Sequence, residues 1–274
     1  MNHSNWEQAV TEILSQNAEP VGSPNDGVDA PLNDPAGGSG GQQLGDRLIT
    51  VAGIVETFVE HVEVAIHTIL YHREIYPREL FMATRMYNTA VKMCRVPRVA
   101  RYVRDVVEQV GQQLQEGNVK VVSIVILSEN RHPLERFSFN VSSFPQVEKD
   151  RAHALLLHNN VGEGELVGTS LAELYEQFRA LIMQISACSG KLGNLPENCT
   201  WTTSLELIEG SDAPKDHTRN WVVSERQKAS WGSNAMTGLA SGGVKSMPLR
   251  SIEAGAIGMD IWVEESNVKK KLPV

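Results

Sequence analysis

Cysteine is scarce in this chain, which has only three in 274 residues: Cys94, Cys188 and Cys199. They lie far apart and form no C-x-x-C pair. Disulfide frameworks and structural zinc sites need more cysteines or tighter spacings. The sequence therefore argues against both and favours a reducing compartment.

Long hydrophobic runs are also missing. No window approaches the roughly 18–20 uninterrupted apolar residues that a membrane helix needs. The first ten residues, MNHSNWEQAV, lack the basic-then-apolar order of a signal peptide. We therefore expect neither secretion nor a membrane partner.

Catalytic and cofactor-binding signatures are absent as well. The chain has no P-loop, H-E-x-x-H or G-x-S-x-G motif and no D-x-D carboxylate pair. His61, His67 and His72 lie six and five residues apart, which does not bring imidazoles together on one helix face. We expect them at the edges of a buried stripe, and we predict no enzyme, cofactor or metal site. An unrelated enzyme stays a rival hypothesis, which converging titratable groups in the structure would favour.

The charge of the chain is unevenly spread. Residues 1–45 contain six acids and no Lys or Arg, so the remaining residues carry only −2 of the net charge of −8. A nearly neutral body has no field to hold DNA phosphates, so we expect no direct specific DNA binding. Pro, Gly, Asn, Asp and Ser dominate residues 16–45, which end in the linker-like GGSGG. We predict a disordered acidic extension over 1–45.

Apolar periodicity predicts three helices. The first carries one stripe from Leu48 to Ile69 and ends before Pro77. The second opens at Pro97, and the third follows a Ser170–Glu173 capping box. The residues expected to be buried in the second and third are Val99, Val103, Val106, Val110, Leu114, Leu174, Phe178, Leu181 and Ile185.

Strands are predicted between and after these helices. Two short ones fall within 80–94, and longer ones cover 119–127, 134–141, 200–209 and 258–265. Residues 142–168 read as a loop, and regular structure thins out between 210 and 258. Such a long irregular stretch is uncommon in a compact domain unless it has a function. The order of elements predicts an α+β fold with three helices packed on an antiparallel sheet.

Two surface features leave alternatives open. Arg95, Arg98, Arg101 and Arg104 recur every three residues around Tyr102. They suit a carboxylate or phosphate ligand, or simply a solvated helix face. In the last strand, alternation points Met259, Ile261 and Val263 inward and Trp262 outward. An outward Trp favours a contact surface, although a loop or the helix layer covering it is the competing explanation.

Several blocks of the sequence together carry a family resemblance: "ILYHREIYP", "VVSIVILSENRHPLERFSFNV", "FRALIMQIS", "WVVSERQ" and "MPLRSIEAGAIGMDIWVEE". In this order they resemble the HORMA-domain accessory subunits of translesion DNA polymerase zeta, over roughly 48–141 and 170–265. The first and third blocks separate this branch from the spindle-checkpoint branch. The resemblance implies a HORMA domain over 46–265, with a C-terminal safety belt at about 210–265. It also implies a variable loop at 142–168 and a basic tail at 266–274.

A non-catalytic adaptor is the function that this resemblance implies. Family members trap a peptide of the polymerase's catalytic subunit beneath the belt, and Tyr102 and Trp221 match the two aromatics that hold it. The alternative is a spindle-checkpoint or meiotic HORMA protein with the same peptide clamp. A nuclear protein, with the cytoplasm as a second location, is implied as well.

Two further surfaces follow from the same resemblance. Ser246, Asp260 and Trp262 match the family's contact with the C-terminal domain of a deoxycytidyl-transferring translesion polymerase. Arg179 matches a self-association contact for a homodimer or another HORMA protein, and Glu74 and Tyr76 are expected close to it. Gln184 replaces a common lysine on that surface, and Ser246 replaces an apolar belt residue.

Overall fold

The described residues of the computed structural model are 49–145, 157–159, 166–168, 170–211, 221, 243–255 and 257–271. The predicted acidic extension, most of the predicted belt before residue 243 and the last residues of the predicted tail lie outside these ranges. Within them, no helix is long and apolar enough to cross a membrane.

Three helices form where the periodicity predicted them: α1 (Val51–His72), α2 (Pro97–Gln115) and α3 (Leu171–Cys188). α1 starts at Thr50, whose Oγ1 accepts a hydrogen bond from the Gly53 N–H at 3.0 Å. α2 starts with its proline in the first turn, as predicted. Ser170 is the N-cap of α3, but its side chain makes no capping hydrogen bond, so the predicted capping box is wrong.

Nine strands in the described residues form three antiparallel groups. The strands are β1 (Phe81–Met86), β2 (Thr89–Cys94), β3 (Val119–Leu127), β4 (Pro133–Asn140), β5 (Leu157–Asn159), β6 (Leu166–Gly168), β7 (Thr200–Leu207), β8 (Val244–Ala254) and β9 (Ile257–Ser266). The main sheet has the order β7-β3-β4-β9-β8, while β1 pairs with β2 and β5 with β6. Short 3-10 helices cover Arg78–Leu80 and Asn267–Lys271. The predicted α+β class is confirmed.

Two strand regions differ from the predictions. β8 lies in the stretch predicted to be irregular, and the short β5–β6 ladder lies in the predicted loop. β8 is an edge strand with mostly half-buried or exposed residues and a bulge between Pro248 and Arg250. It therefore lacks the alternation of buried and exposed residues that reveals a strand.

The core lies between the helices and the main sheet. Phe58 of α1 meets Phe139 of β4 edge to face, with ring centroids 6.3 Å apart. His61 and His67 are 0% and 1% exposed, so the prediction that they flank the stripe is wrong. His61 stacks on Phe178 of α3 with centroids 4.0 Å apart. The imidazole thus fills core volume as an aromatic ring does.

A buried ion network joins distant parts of the chain. The Glu135 carboxylate on β4 accepts hydrogen bonds from Arg73 Nε at 2.8 Å and Nη2 at 2.7 Å, just after α1. Lys269 Nζ also donates to Glu135, and to Glu265 Oε1 at 2.9 Å. The Gly193 N–H donates to the same Glu265 oxygen at 2.8 Å. The network ties the C-terminal 3-10 helix to β4, β9 and the segment after α3.

Candidate functional site

The two outer strands of the main sheet are β7 and β8. One edge of β7 pairs with β3, and no strand among the described residues pairs with its other edge. Such an edge presents backbone N–H and C=O groups that an added extended chain can pair with. The outer edge of β7 is therefore a candidate site for a peptide.

β7 and β8 form opposite edges of this sheet, with β3, β4 and β9 between them. Four inter-strand spacings of about 4.8 Å separate the two strands, or roughly 19 Å. β7 ends at Leu207 and β8 begins at Val244, so residues 208–243 lie between the two strands in the sequence.

An aromatic cluster lies at the start of β7. Trp201 of β7 is 5% exposed and donates its indole N–H to the Tyr76 hydroxyl at 3.3 Å. Its ring meets the Tyr102 ring of α2 at 5.3 Å, in an edge-to-face arrangement. Burial raises the pKa of both tyrosine hydroxyls, so both are protonated at neutral pH. Tyr102 is 48% exposed, which leaves ring surface for a ligand beside the β7 edge.

Of the two aromatics predicted for this site, the structure locates Tyr102 more fully than Trp221. Tyr102 does lie at the β7 edge, whereas Trp201 was read only as a strand residue. The sequence signal that could have identified Trp201 was its large aromatic side chain in a short predicted strand, because such a side chain usually packs against a neighbouring element. Trp221 is half-buried, but 212–220 and 222–242 lie outside the described residues. Its pairing with Tyr102 stays a prediction.

A second candidate surface lies on the β8–β9 hairpin. Ser246 is opposite Glu264, Pro248 is opposite Trp262, and Ser251 is opposite Asp260. Because opposed residues point to the same face, Ser246, Asp260 and Trp262 share one face of the hairpin. Met259, Ile261 and Val263 are buried on the other face, as the alternation predicted.

Local hydrogen bonds hold this face. Ser251 Oγ donates to Asp260 Oδ1 at 2.6 Å, and Trp262 Nε1 donates to Glu264 Oε1 at 3.3 Å. Trp262 is half-buried, whereas Ser246 and Asp260 are exposed. The structure thus brings the three predicted residues together, while their partner is untested.

The predicted self-association residues fall into separate places. Arg179 on α3 forms an ion pair with Glu176, one turn from the 59% exposed Met183. Glu74 pairs with Arg78 at 2.5 Å after α1. Tyr76 lies with Trp201 and Tyr102 on the β7 side. Self-association through these residues stays a prediction.

Two cysteines of the described residues, Cys188 and Cys199, are held as thiols. Burial raises the pKa of Cys188 and of Cys199 to about 11, helped by the charge of Glu135, so both stay thiols at neutral pH. No group of three or more His, Cys, Asp or Glu residues that could hold a metal occurs within the described ranges. The arrangement at the β7 edge is suited to binding an extended chain.

Comparison with known proteins agrees with this geometry. The HORMA domain profile matches residues 55–237. The DNA polymerase zeta processivity subunit of Schizosaccharomyces pombe is 28% identical over 217 residues, which cover 79% of this chain and 94% of that protein. The mitotic spindle assembly checkpoint protein MAD2B of Danio rerio is 27% identical and covers 79% of this chain and 92% of its own length.

Solved structures show the same fold at lower identity. A chain of the mitotic checkpoint complex matches with a TM-score of 0.56 and 23% identity, covering 78% of this chain and 98% of that one. Caenorhabditis elegans HTP-1 bound to the HIM-3 closure motif matches with a TM-score of 0.52 and 17% identity, covering 81% and 94%. The fold of three helices on an antiparallel sheet is therefore the HORMA fold. With more than half of its residues matched by the HORMA profile, this chain belongs to the HORMA-domain family.

Proposed function

We propose that this chain is a non-catalytic accessory subunit of translesion DNA polymerase zeta. It binds a short extended peptide of the catalytic subunit at the outer edge of β7, beneath the predicted safety belt at about 210–265. The observation that carries this proposal is the outer edge of β7, which pairs with no other described strand and lies beside the half-exposed Tyr102 ring. The choice of polymerase zeta as the partner rests on the name of the Schizosaccharomyces pombe relative, DNA polymerase zeta processivity subunit.

Strand addition explains how such a site binds. The peptide pairs its backbone groups with β7, and Tyr102 and Trp221 contact its side chains. The segment that joins β7 to β8 must open before the peptide can leave. Dissociation then requires local unfolding, which slows it without any new contact.

The β8–β9 face provides a second contact for a bridging role. Ser246, Asp260 and Trp262 lie together on one face, on the opposite edge of the sheet from β7. We propose that this face binds the C-terminal domain of a deoxycytidyl-transferring translesion polymerase in the nucleus. Two partners can then bind at once because their sites lie at opposite edges.

A checkpoint or meiotic HORMA protein is the second candidate function. HTP-1 was solved with a closure motif of another protein, which supports the same kind of peptide site here. The checkpoint protein mad2 of S. pombe is 28% identical but matches only 61% of this chain. The broader match to polymerase zeta and MAD2B relatives favours the first function.

Peptide binding tests the proposed function. We expect peptides that tile the polymerase zeta catalytic subunit of the same organism to include one binder, and checkpoint-partner peptides to fail. Tyr102→Ala and Trp221→Ala should each weaken that binder by at least ~2 kcal/mol, about 30-fold in Kd, because central aromatics dominate such interfaces. Calorimetry on the full chain measures this.

The matched control is Met82→Ala, which removes a 53% exposed apolar side chain from β1. It should leave the affinity unchanged. If Tyr102→Ala and Trp221→Ala both bound the peptide as tightly as the wild type, the peptide would not bind at the edge of β7. Binding of the checkpoint peptides alone would favour the second function.

A further inference from the structure

A basic stretch of this acidic chain leads up to Tyr102, whose ring contacts Trp201 of β7. Between Leu80 and Arg104 the sequence has six Arg or Lys residues and no Asp or Glu, although the chain carries −8. Three of them come shortly before Tyr102: Arg95 just after β2, and Arg98 and Arg101 in the first turns of α2. We call these three the arginine row, and all three are exposed.

Helix stability does not explain the arginine row. The first turn of an α-helix carries partial positive charge, so cations there destabilise it and acids are favoured. α2 has no acid in its first turn and no side-chain cap at Val96. Arg95 and Arg101 make no ion pair with any described residue. The positive charge is thus concentrated where the helix itself disfavours it.

The fourth arginine of the series serves a different purpose. Burial raises the pKa of Glu63 and the charge of Arg104 opposes that rise, while burial, helped by the charge of Arg104, lowers the pKa of His67. Both groups are on α1, so the charge of Arg104 lies near α1. Tyr102 contacts Trp201 on the β7 side. Arg98 precedes Tyr102 by four residues, which places it on the same side of α2.

We propose that the arginine row selects peptides that carry Asp or Glu next to the segment paired with β7, at the end beside Trp201. This inference rests on the proposed peptide site and names a further feature of its ligand. The row is exposed, so its main effect is to steer an acidic chain to the edge, which raises the association rate. Nucleic acid is the other polyanion that such a row could attract.

Peptide selection tests this inference. A random 15-residue displayed library is selected on the full wild-type chain, on Arg95→Gln/Arg98→Gln/Arg101→Gln, and on Arg85→Gln. Arg85 is an exposed arginine on β1, paired with Ala90 at the turn end of the hairpin. We expect Asp and Glu to be enriched at one end of the wild-type and Arg85→Gln peptides. The triple variant should select the same apolar positions without that enrichment.

Association kinetics give the second measurement. For an acidic peptide from the selection, the triple variant should bind about tenfold more slowly in 50 mM salt. The difference should vanish in 1 M salt, where the Debye length is about 3 Å. A peptide in which Asn and Gln replace the Asp and Glu residues should associate with the wild-type chain and with the triple variant at the same rate.

Three outcomes overturn the inference. Selected peptides that need Trp221 but show no acidic end would leave the proposed function standing and remove the arginine row from it. The wild-type chain could instead bind a 20-nucleotide single strand or duplex tightly, and the triple variant could lose that binding. If the selected peptides also showed no enrichment of Asp or Glu, the arginine row would be assigned to nucleic acid. Failure of the wild-type chain to select any peptide would remove the peptide site and this inference together.

Discussion

At the scale of single residues, burial sets the chemistry of two α1 histidines. Neither ring nitrogen of His61 has a hydrogen-bond partner among the described residues, and burial lowers its pKa to about 3. His67 Nδ1 accepts the Cys94 N–H at 3.3 Å, and burial with the Arg104 charge lowers its pKa to about 4. Both imidazoles are neutral in the folded protein at neutral pH.

These histidines predict that the protein loses stability as the pH falls below about 6.5. In the unfolded chain they titrate near 6.5, so between about pH 6 and 4 the unfolded state binds more protons. The stability is fully present above pH 6.5 and falls by about 1.4 kcal/mol per pH unit for each histidine. His61→Phe keeps a stacked ring and should reduce the slope by about one proton, as urea unfolding at pH 7, 6 and 5 would measure.

The control for this prediction is His132→Gln, which changes an exposed histidine after β3. It should leave the slope between pH 6 and 5 as in the wild type. A slope in His61→Phe equal to that of the wild type would show that His61 is not neutral and buried in the folded state.

At the scale of elements, α3 has one face in the core and another open to a partner. Leu174, Phe178 and Leu181 are buried, while Arg179 and Met183 lie toward solvent. We expect Arg179→Ala to shift any dimer toward monomer, with dimerisation weakened by ~2 kcal/mol, because Arg is enriched at interface hot spots. Light scattering measures the mass, and peptide binding at β7 should be unaffected.

Arg85→Ala is a suitable control for the α3 prediction, because Arg85 is another exposed arginine, hydrogen-bonded to Asn88 in its own hairpin on β1 and β2. It should leave the mass unchanged. A dimer that persists in Arg179→Ala would place self-association on another surface. A parallel loss of peptide binding would indicate that α3 and the β7 edge are coupled.

The elements also show how far the sequence determines the fold. The helices were predictable because a 3.6-residue period survives wherever one side is buried, as at Phe58, Val62 and Ile69. In β4, by contrast, Leu134 and Ser138 are as buried as Phe137, because this strand is central and both of its faces are covered. Position within a sheet is a tertiary property that a local pattern does not contain.

The candidate site was predictable to a smaller degree. Alternation alone placed Trp262 outward, and the structure adds that Ser246 lies on the same face through the β8–β9 register. The Trp201–Tyr76 hydrogen bond joins residues 125 positions apart, so no local pattern could have indicated it. Tyr102 was predicted to bind the peptide only because of the family resemblance. The contact between Tyr102 of α2 and Trp201 of β7 gives that prediction a physical reason.

At the scale of the whole molecule, the buried ion network fixes the C-terminal hairpin to the rest of the domain. The Glu135 side chain is 0% exposed, and the Arg73 and Lys269 side chains beside it are 8% and 3% exposed. Burial opposes the charge of Glu265, but hydrogen bonds from Lys269 and Gly193 outweigh it and lower its pKa. A lowered carboxyl pKa contributes stability above about pH 4.5 that is lost as the pH falls further.

Glu135→Gln tests whether this network holds the hairpin. The change keeps the shape but leaves Arg73 and Lys269 buried with a single carboxylate. Removing one partner of a buried ion pair usually destabilises by about 3–5 kcal/mol. Lys120→Gln breaks an exposed pair with Glu206 and should change stability by less than ~1 kcal/mol.

Hydrogen exchange would show where the lost stability is concentrated. Lys269 contacts Glu265 of β9 and the carbonyl of Gly193, so releasing it should loosen β8 and β9 before α1. We expect faster amide exchange in β8 and β9 of Glu135→Gln, with α1 still protected. Uniform acceleration across the domain would mean that the network supports the core as a whole. In that case the C-terminal hairpin would not be a separately anchored element, and opening of the connection to β7 would require global unfolding.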